Sequence, residues 1–240
     1  MELIFLGTRG EIEIRSRRHR RHSALLVKHG AARIMIDCGA DWRGRLKTIA
    51  PTAVVLTHAH PDHASGLAGG APAPVYATEE TLELLRRFPI LDRRPIRLRT
   101  AVTIDGVIFR AFPVHHSIHA PAVGYRVSAG NGCFFYVPDV AKLGTPAAAL
   151  RGIDLYIGDG ASITRAMVRR RNAEFIGHAP ITAQLGWCET AGVRRAIFTH
   201  CGSEIVRSDA RQVAAKVRRL GRDRGVDARL ACDGDRLIMD

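Results

Sequence analysis

Thr57-His58-Ala59-His60-Pro61-Asp62-His63 places three imidazoles and one carboxylate within six residues. Imidazole nitrogens with a carboxylate oxygen suit zinc or a similar first-row metal. Neighbouring side chains on a tight loop point different ways, so the His-x-His-x-Asp-His alternation can serve two ions. His58 and His60 can share one, while Asp62 and His63 reach a second. The apolar run Ala53-Val54-Val55-Leu56 leads in and Ala64-Ser65-Gly66-Leu67 follows, which reads as strand, ligand loop, then helix or turn. A lone histidine on an apolar face is ordinarily a satisfied core residue. Four ligand-type side chains in six residues, behind a buried-strand signal, are not explained that way.

The elements that must position this loop are many short strands. Strand signals recur at Leu3–Leu6, Ala24–Val27, Arg33–Ile36, Ala53–Leu56, Val75–Ala77, Val107–Phe112, Ala122–Val127, Cys133–Val137, Leu155–Ile157, Arg195–Phe198 and Ala228–Ala231. A helix follows Thr78, which caps it. Glu79 and Glu80 suit its positive end, Leu82 and Leu85 share a face, Arg86 and Arg87 suit its negative end, and Pro89 stops it. A second helical pattern spans 208–220, with Ser208 as cap, Val213, Val217 and Leu220 on one face, and Gly221 as the end. Neither a linker nor a repeat interrupts the chain. The 240 residues, with 46% apolar content, are expected to form one layered α/β domain over 1–240.

The spacing of the first motif resembles the metallo-β-lactamase-fold hydrolase superfamily. The resemblance runs from Leu6-Gly7-Thr8 to Thr199-His200. It implies an αββα sandwich of two mixed β-sheets with helices on the outer faces. It also implies two metal sites sharing a carboxylate: His58, His60 and His116 at one, Asp62, His63 and His200 at the other, with Asp139 bridging. His115 is the alternative to His116 within Pro113-Val114-His115-His116, ahead of the Gly124-Tyr125 pair. Asp37, after the strand Ile34-Met35-Ile36, is expected to fix a ligand histidine rather than bind metal. The ions are read as zinc, with manganese or iron as alternatives that use the same ligands.

Within the superfamily, Leu6-Gly7-Thr8, Val123-Gly124-Tyr125-Arg126 and a further His178 look like the tRNase Z and cyclic-phosphate phosphodiesterase branch. The resemblance implies that His178 donates a proton to the leaving oxygen and that Asp159 orients it. It further implies that Asp62 orients the attacking water. Asp159 stands where tRNase Z has Glu in a His-Glu-Ala-Thr stretch, and Gly158 stands where it has the His. Residues 64–115 leave no room for the long flexible arm with which many tRNase Z proteins grip the tRNA elbow. Processing of full-length tRNA by that docking mode is therefore disfavoured.

Charge points the same way. Lys and Arg number 36 against 23 Asp and Glu, a net +13. One cluster, Arg15 to Arg21, lies between the first two strands; another, Arg165 with Arg169, Arg170 and Arg171, lies between Asp159 and His178. Arginine forks bind phosphate oxygens in pairs. Arg21, Arg169, Arg170 and Arg171 are therefore the candidate contacts to a substrate phosphate. No aromatics interleave these runs, so a base-stacking platform is not indicated. The five cysteines form no C-x-x-C pair and read as reduced, buried thiols of a cytoplasmic protein. No apolar stretch approaches the roughly 20 residues that span a bilayer. The segment Met1–Leu6 reads as a strand and is too short for a signal peptide.

The function expected is two-metal hydrolysis of a phosphodiester in a cyclic nucleotide, a cyclic phosphate or a short nucleic-acid end. The partner is a phosphate-bearing small molecule or nucleic acid, with no membrane and with a homodimer in keeping with the family. Two alternatives differ in class. One is a lactonase or thioesterase of the same fold, which needs neither His178 nor the arginines. The other is a nucleic-acid-binding protein with a structural metal site.

Overall fold

A strand buried on both faces needs an apolar partner on each side, and two mixed sheets with outer helices supply them. The computed structural model describes residues 1–172 and 174–239. The first sheet contains β1 (Glu2–Gly7), β2 (Ala24–His29), β3 (Ala32–Ile36), β4 (Ala53–Val55), β5 (Val75–Ala77) and β6 (Arg93–Pro95) in sequence order. β17 (Arg236–Ile238) closes its β1 edge. The second sheet runs β11 (Lys142–Leu143), β8 (Val107–His115), β9 (Ala122–Ala129), β10 (Gly132–Tyr136), β12 (Leu155–Asp159), β15 (Arg195–Thr199) and β16 (Asp227–Leu230). β7 (Ala101–Ile104) also pairs with β8. Both sheets begin antiparallel and turn parallel, after β3 in the first and after β10 in the second.

Side-chain alternation sets the layers. Leu25, Val27, Ile34, Ile36 and Val55 face a central core shared with Phe109, Tyr125, Phe134, Leu155 and Ile197 of the second sheet. Their neighbours Leu26, Met35, Val54 and Leu56 face outward onto Trp42, Leu46, Leu82 and Leu85. On the other side, Phe135, Tyr156 and Phe198 face outward onto helices α4 (Pro146–Leu150), α5 (Ile181–Ala191) and α7 (Ala210–Arg222), through Leu150, Leu185 and Val217. The molecule is thus an αββα sandwich. The remaining α-helices among the described residues are α1 (Leu46–Ile49), α2 (Pro61–Ala64), α3 (Glu79–Leu84) and α6 (Ser203–Arg207).

Two helix ends differ from expectation. Thr78 caps α3, accepting from Thr81 N, but the helix proper stops at Leu84 and turns carry Arg86 and Arg87. The cap of α7 is Asp209, not Ser208. Its carboxylate accepts from the amides of Arg211 and Gln212 at 3.0 and 2.9 Å, while the Ser208 hydroxyl donates to Glu204 O. Gly221 lies inside α7, pressed against Val226 and Ala228, where a Cβ would collide. A hairpin of β13 (Met167–Arg171) and β14 (Glu174–His178) stands outside both sheets, where the sequence reading had only a basic connection.

Candidate metal centre

Every candidate ligand stands at the carboxyl end of a strand, the edge at which open α/β sheets place their sites. His58, His60, Asp62 and His63 follow β4 of the first sheet. His116, Asp139 and His200 follow β8, β10 and β15 of the second. Pro61 opens α2, so Asp62 and His63 fall in a single helical turn and His60 N-terminal to it stays extended. Asp37 and His200 both sit in the left-handed region, at φ 63° and 54°. Non-glycine residues held there cost about 1–3 kcal/mol each.

Four atoms from three segments converge on one point. His58 Nε2 lies 3.0 Å from His60 Nδ1; His116 Nε2 lies 3.2 Å from the same atom and 3.2 Å from Asp139 Oδ2. His58 Nε2 is 3.7 Å from Asp139 Oδ2. The other oxygen of Asp139 enters a second set. Oδ1 is 3.3 Å from His63 Nε2 and 3.1 Å from His200 Nε2, and Asp62 Oδ2 is 3.1 and 3.0 Å from those two nitrogens. Ligands at ~2.0–2.1 Å around a tetrahedral ion stand about 3.3 Å apart. Both sets have that size.

The orphaned atoms support the fit. His63 Nε2 and Asp139 Oδ1 are buried with no hydrogen-bond partner among the described residues, although each looks into the second set. The charge also fits. Burial pushes His200 down, but Asp139, Asp159 and Asp62 draw its pKa up to about 10, so this set calls for positive charge. In the first set burial and neighbouring imidazoles hold His60 down to about 4 and His58 well below the usual histidine value, which leaves their lone pairs free. These donor sets fit divalent metal ions.

The groups behind the ligands fix their orientation. His63 Nδ1 lies 2.9 Å from Asp37 Oδ2. The Thr57 hydroxyl lies 3.0 Å from both Asp37 oxygens and 3.0 Å from His58 Nδ1, joining the two sets from behind. His116 Nδ1 donates to Gly177 O at 3.1 Å. His115, the alternative ligand, points away: its Nδ1 is 2.7 Å from Glu174 on the surface. Sequence reasoning missed Thr57 and Gly177. A hydroxyl beside a ligand run was available as a signal; a backbone carbonyl from a distant hairpin gives none.

His178 stands across the centre, its ring 5.0 Å from that of His116 and 5.4 Å from that of His200. Its Nδ1 lies 2.8 Å from Asp159 Oδ2, so the shorter arm of Asp reaches. Burial lowers the His178 pKa, but the Asp159 carboxylate outweighs it and the net shift is upward. Asp159 is raised by burial and lowered more by His178 and His200. It also accepts from the amides of Val140 and Ala161. Gln184 of α5 accepts from Asp159 N and donates to Asp159 O. That packing explains Gly158: a Cβ there would collide with Tyr156 and Gln184.

A cavity of about 470 Å³ opens beside these groups, lined by Glu11, Ile12, Arg165, Met167, His178 and His200. Arg165 is the one arginine of its cluster on this wall. Arg169, Arg170 and Arg171 lie farther along β13, off this lining. Arg21 lines a separate cavity of about 520 Å³ with Arg15, Arg17, Arg20 and Arg45, and its guanidinium sits 5.1 Å over Trp42. Cys38 and Cys201 are buried nearby, yet no cysteine joins either donor set among the described residues.

Residues 32–201 match a family model described as a beta-lactamase superfamily domain. The chain is 29% identical over 176 residues to a Ribonuclease Z of Bradyrhizobium diazoefficiens, covering 62% of this chain and 57% of that one. It spans about half the length of the curated relatives it matches. A diphosphatase from the PhnP family superposes with a TM-score of 0.74 at 20% identity, over 98% of this chain and 96% of that chain. The short form of human tRNase Z superposes at 0.68 with 17% identity, over 100% of both. These two likenesses establish the fold. No helix among the described residues is long and apolar enough to cross a membrane.

Proposed function

The chain belongs to the β-lactamase superfamily, and we propose that it is a two-metal hydrolase of phosphodiester bonds. The observation that carries this reading is Asp139, which presents one oxygen to each donor set while His178 faces both from across the cavity. His58, His60 and His116 would hold one ion, Asp62, His63 and His200 the other, zinc in our reading and manganese or iron as alternatives. Two such ions, when bound, activate water near neutral pH and neutralise the non-bridging oxygens on phosphorus.

The chain's own groups supply the rest. Asp62 accepts a hydrogen bond from the attacking water and aims it in line with the scissile bond. His178 donates the proton on Nε2 to the departing oxygen, and the Asp159 carboxylate, which draws its pKa upward, favours the protonated donor form. Asp159 accepts from Nδ1 and holds the ring in that orientation. Arg165 lies where it can meet a phosphate oxygen of a bound diester.

Lactone or thioester hydrolysis would leave the His178–Asp159 pair without a task, and a purely structural metal site would leave the cavity without one. Metal-loaded protein assayed on bis-p-nitrophenyl phosphate, a lactone and a thioester separates these readings. Turnover of the diester alone is expected. Turnover confined to the lactone or thioester would overturn the proposal, and a salt-dependent gel shift without any turnover would favour the binding protein. The curated relatives carry the name Ribonuclease Z. Residues 64–115 here hold a 3-10 helix at Ser65–Gly69, β5, α3 and β6 to β8, joined by short connections that leave no segment for a long arm. The reading therefore stays with small diesters and nucleic-acid ends.

A further inference from the structure

The β13–β14 hairpin carries groups that the mechanism above does not use. Residues opposite one another in an antiparallel pair share a face. Met167 with His178, Arg169 with Ile176, and Arg171 with Glu174 therefore face one side; Val168 with Gly177 and Arg170 with Phe175 face the other.

The second side is seated on the sandwich. Around the Phe175 ring stand Lys142 Nζ at 4.5 Å, the Arg170 guanidinium at 6.0 Å and the His115 ring at 5.7 Å. Gly177 N donates to His116 O at 2.9 Å, and its φ of 103°, with Met167 O where a Cβ would stand, requires glycine. Arg170, itself exposed, is turned toward the Phe175 ring and away from the cavity side. The first side opens on the cavity, where Met167 and His178 form the wall. Arg169 and Arg171 continue that side outward. Both are exposed, and neither has a hydrogen-bond or ion-pair partner among the described residues. Glu174, the register partner of Arg171, is drawn off to His115. At 3.3–3.4 Å per residue, the two arginines stand about 7 and 13 Å beyond Met167, a repeat that matches successive phosphates of an extended single strand.

We propose that this face is a phosphate track for single-stranded nucleic acid, along which the leaving-group portion of the substrate lies against Arg169 and Arg171. The proposal rests on the phosphodiesterase reading and narrows its substrate class. A cyclic nucleotide would fill the cavity and end near Met167. A strand running past His178, the donor to the leaving oxygen, reaches both arginines. Beyond the His178 imidazole at the cavity, no aromatic side chain lies on this face among the described residues, so the track binds backbone and is indifferent to base.

The test uses full-length, metal-loaded protein and end-labelled oligoribonucleotides and oligodeoxyribonucleotides of two, four and eight residues, with bis-p-nitrophenyl phosphate alongside. Wild type is expected to gain in kcat/KM from two to eight residues. In Arg169→Ala/Arg171→Ala that gain should fall by about tenfold. The slope of log kcat/KM against log salt should become shallower by about 1 per arginine. Arg170→Ala should keep the gain. Circular dichroism and metal content report whether each variant retains its fold and donor sets. A wild-type enzyme without length dependence, or a double variant with the wild-type gain, overturns the track while leaving the phosphodiesterase reading intact. An equal loss in Arg170→Ala also overturns it. Wild-type protein that hydrolyses none of the diesters overturns both.

Discussion

The two donor sets share Asp139 and differ in their balance of imidazole and carboxylate. The first has three imidazoles and one oxygen of the shared carboxylate, and its histidines are held neutral by burial and by one another. The second has two imidazoles, Asp62 and the other oxygen, and its carboxylates draw His63 and His200 toward the charged form. The lesson is that one fold edge builds two sites of opposite electrostatic need within a single carboxylate's width. The first offers lone pairs ready for a metal. The second must release a proton to take one.

The largest expected effect comes from removing what the sets share. Asp139→Ala should lower metal content from two equivalents to below one and turnover by about 10³-fold or more, measured by elemental analysis and diester hydrolysis. A variant that kept two equivalents would break the comparison at its centre. His178→Ala belongs to neither set. Metal content should hold, while turnover of an alkyl diester falls by about 10²-fold or more. Activated aryl diesters should fall much less, since their leaving group needs no proton; equal losses would remove the proton-donor role. Thr57→Val touches both sets from behind. Each metal affinity should weaken by about 10–100-fold, read by chelator competition. If only the His58 set weakens, the Asp37 route to His63 is unimportant.

The smallest effect sharpens the contrast through pH. Loading metal-free protein at pH 7 should release protons from the second set, where His63 is drawn upward and His200 has a pKa of about 10, and none from the first, whose His60 lies at about 4. Affinity at the second set should therefore rise with pH, while the first stays level above about pH 5. Stability of the metal-free protein follows the same signs. The His200 contribution is present below its unfolded value near 6.5 and is lost as pH rises through about 10. The His60 contribution is present above about 6.5 and is lost as pH falls toward 4. Calorimetric proton counts in two buffers check the first statement and denaturant melts across pH 4–10 check the second.

Legibility in the sequence tracked how local each signal is. The loop from His58 to His63 and the strands that alternate between core and outer helix could be read directly, because period and ligand type lie within a few residues. The edge strands β6, β7, β11 and β17 could not. They are short, and pairing with a neighbour rather than an apolar pattern makes them strands. The β13–β14 hairpin was hidden for the same reason: Arg169-Arg170-Arg171 carries no apolar alternation, and only the cross-strand register divides its faces. At α7, Ser208 and Asp209 are both good caps, and the choice between them depends on Ser208 turning back to Glu204 O.

Each donor set takes ligands from both sheets, and Asp62 and His200, which meet at 3.0 Å, are 138 residues apart in the chain. An ion seated between them acts as a rivet through the sandwich. It closes a loop long enough to restrict the unfolded chain heavily, as a covalent cross-link of that span would. The sheets then cannot peel apart until the ion leaves. The lifetime of the loaded protein against proteases is therefore expected to follow the rate of metal release rather than the global unfolding free energy. A chelator that never touches the polypeptide would shorten it.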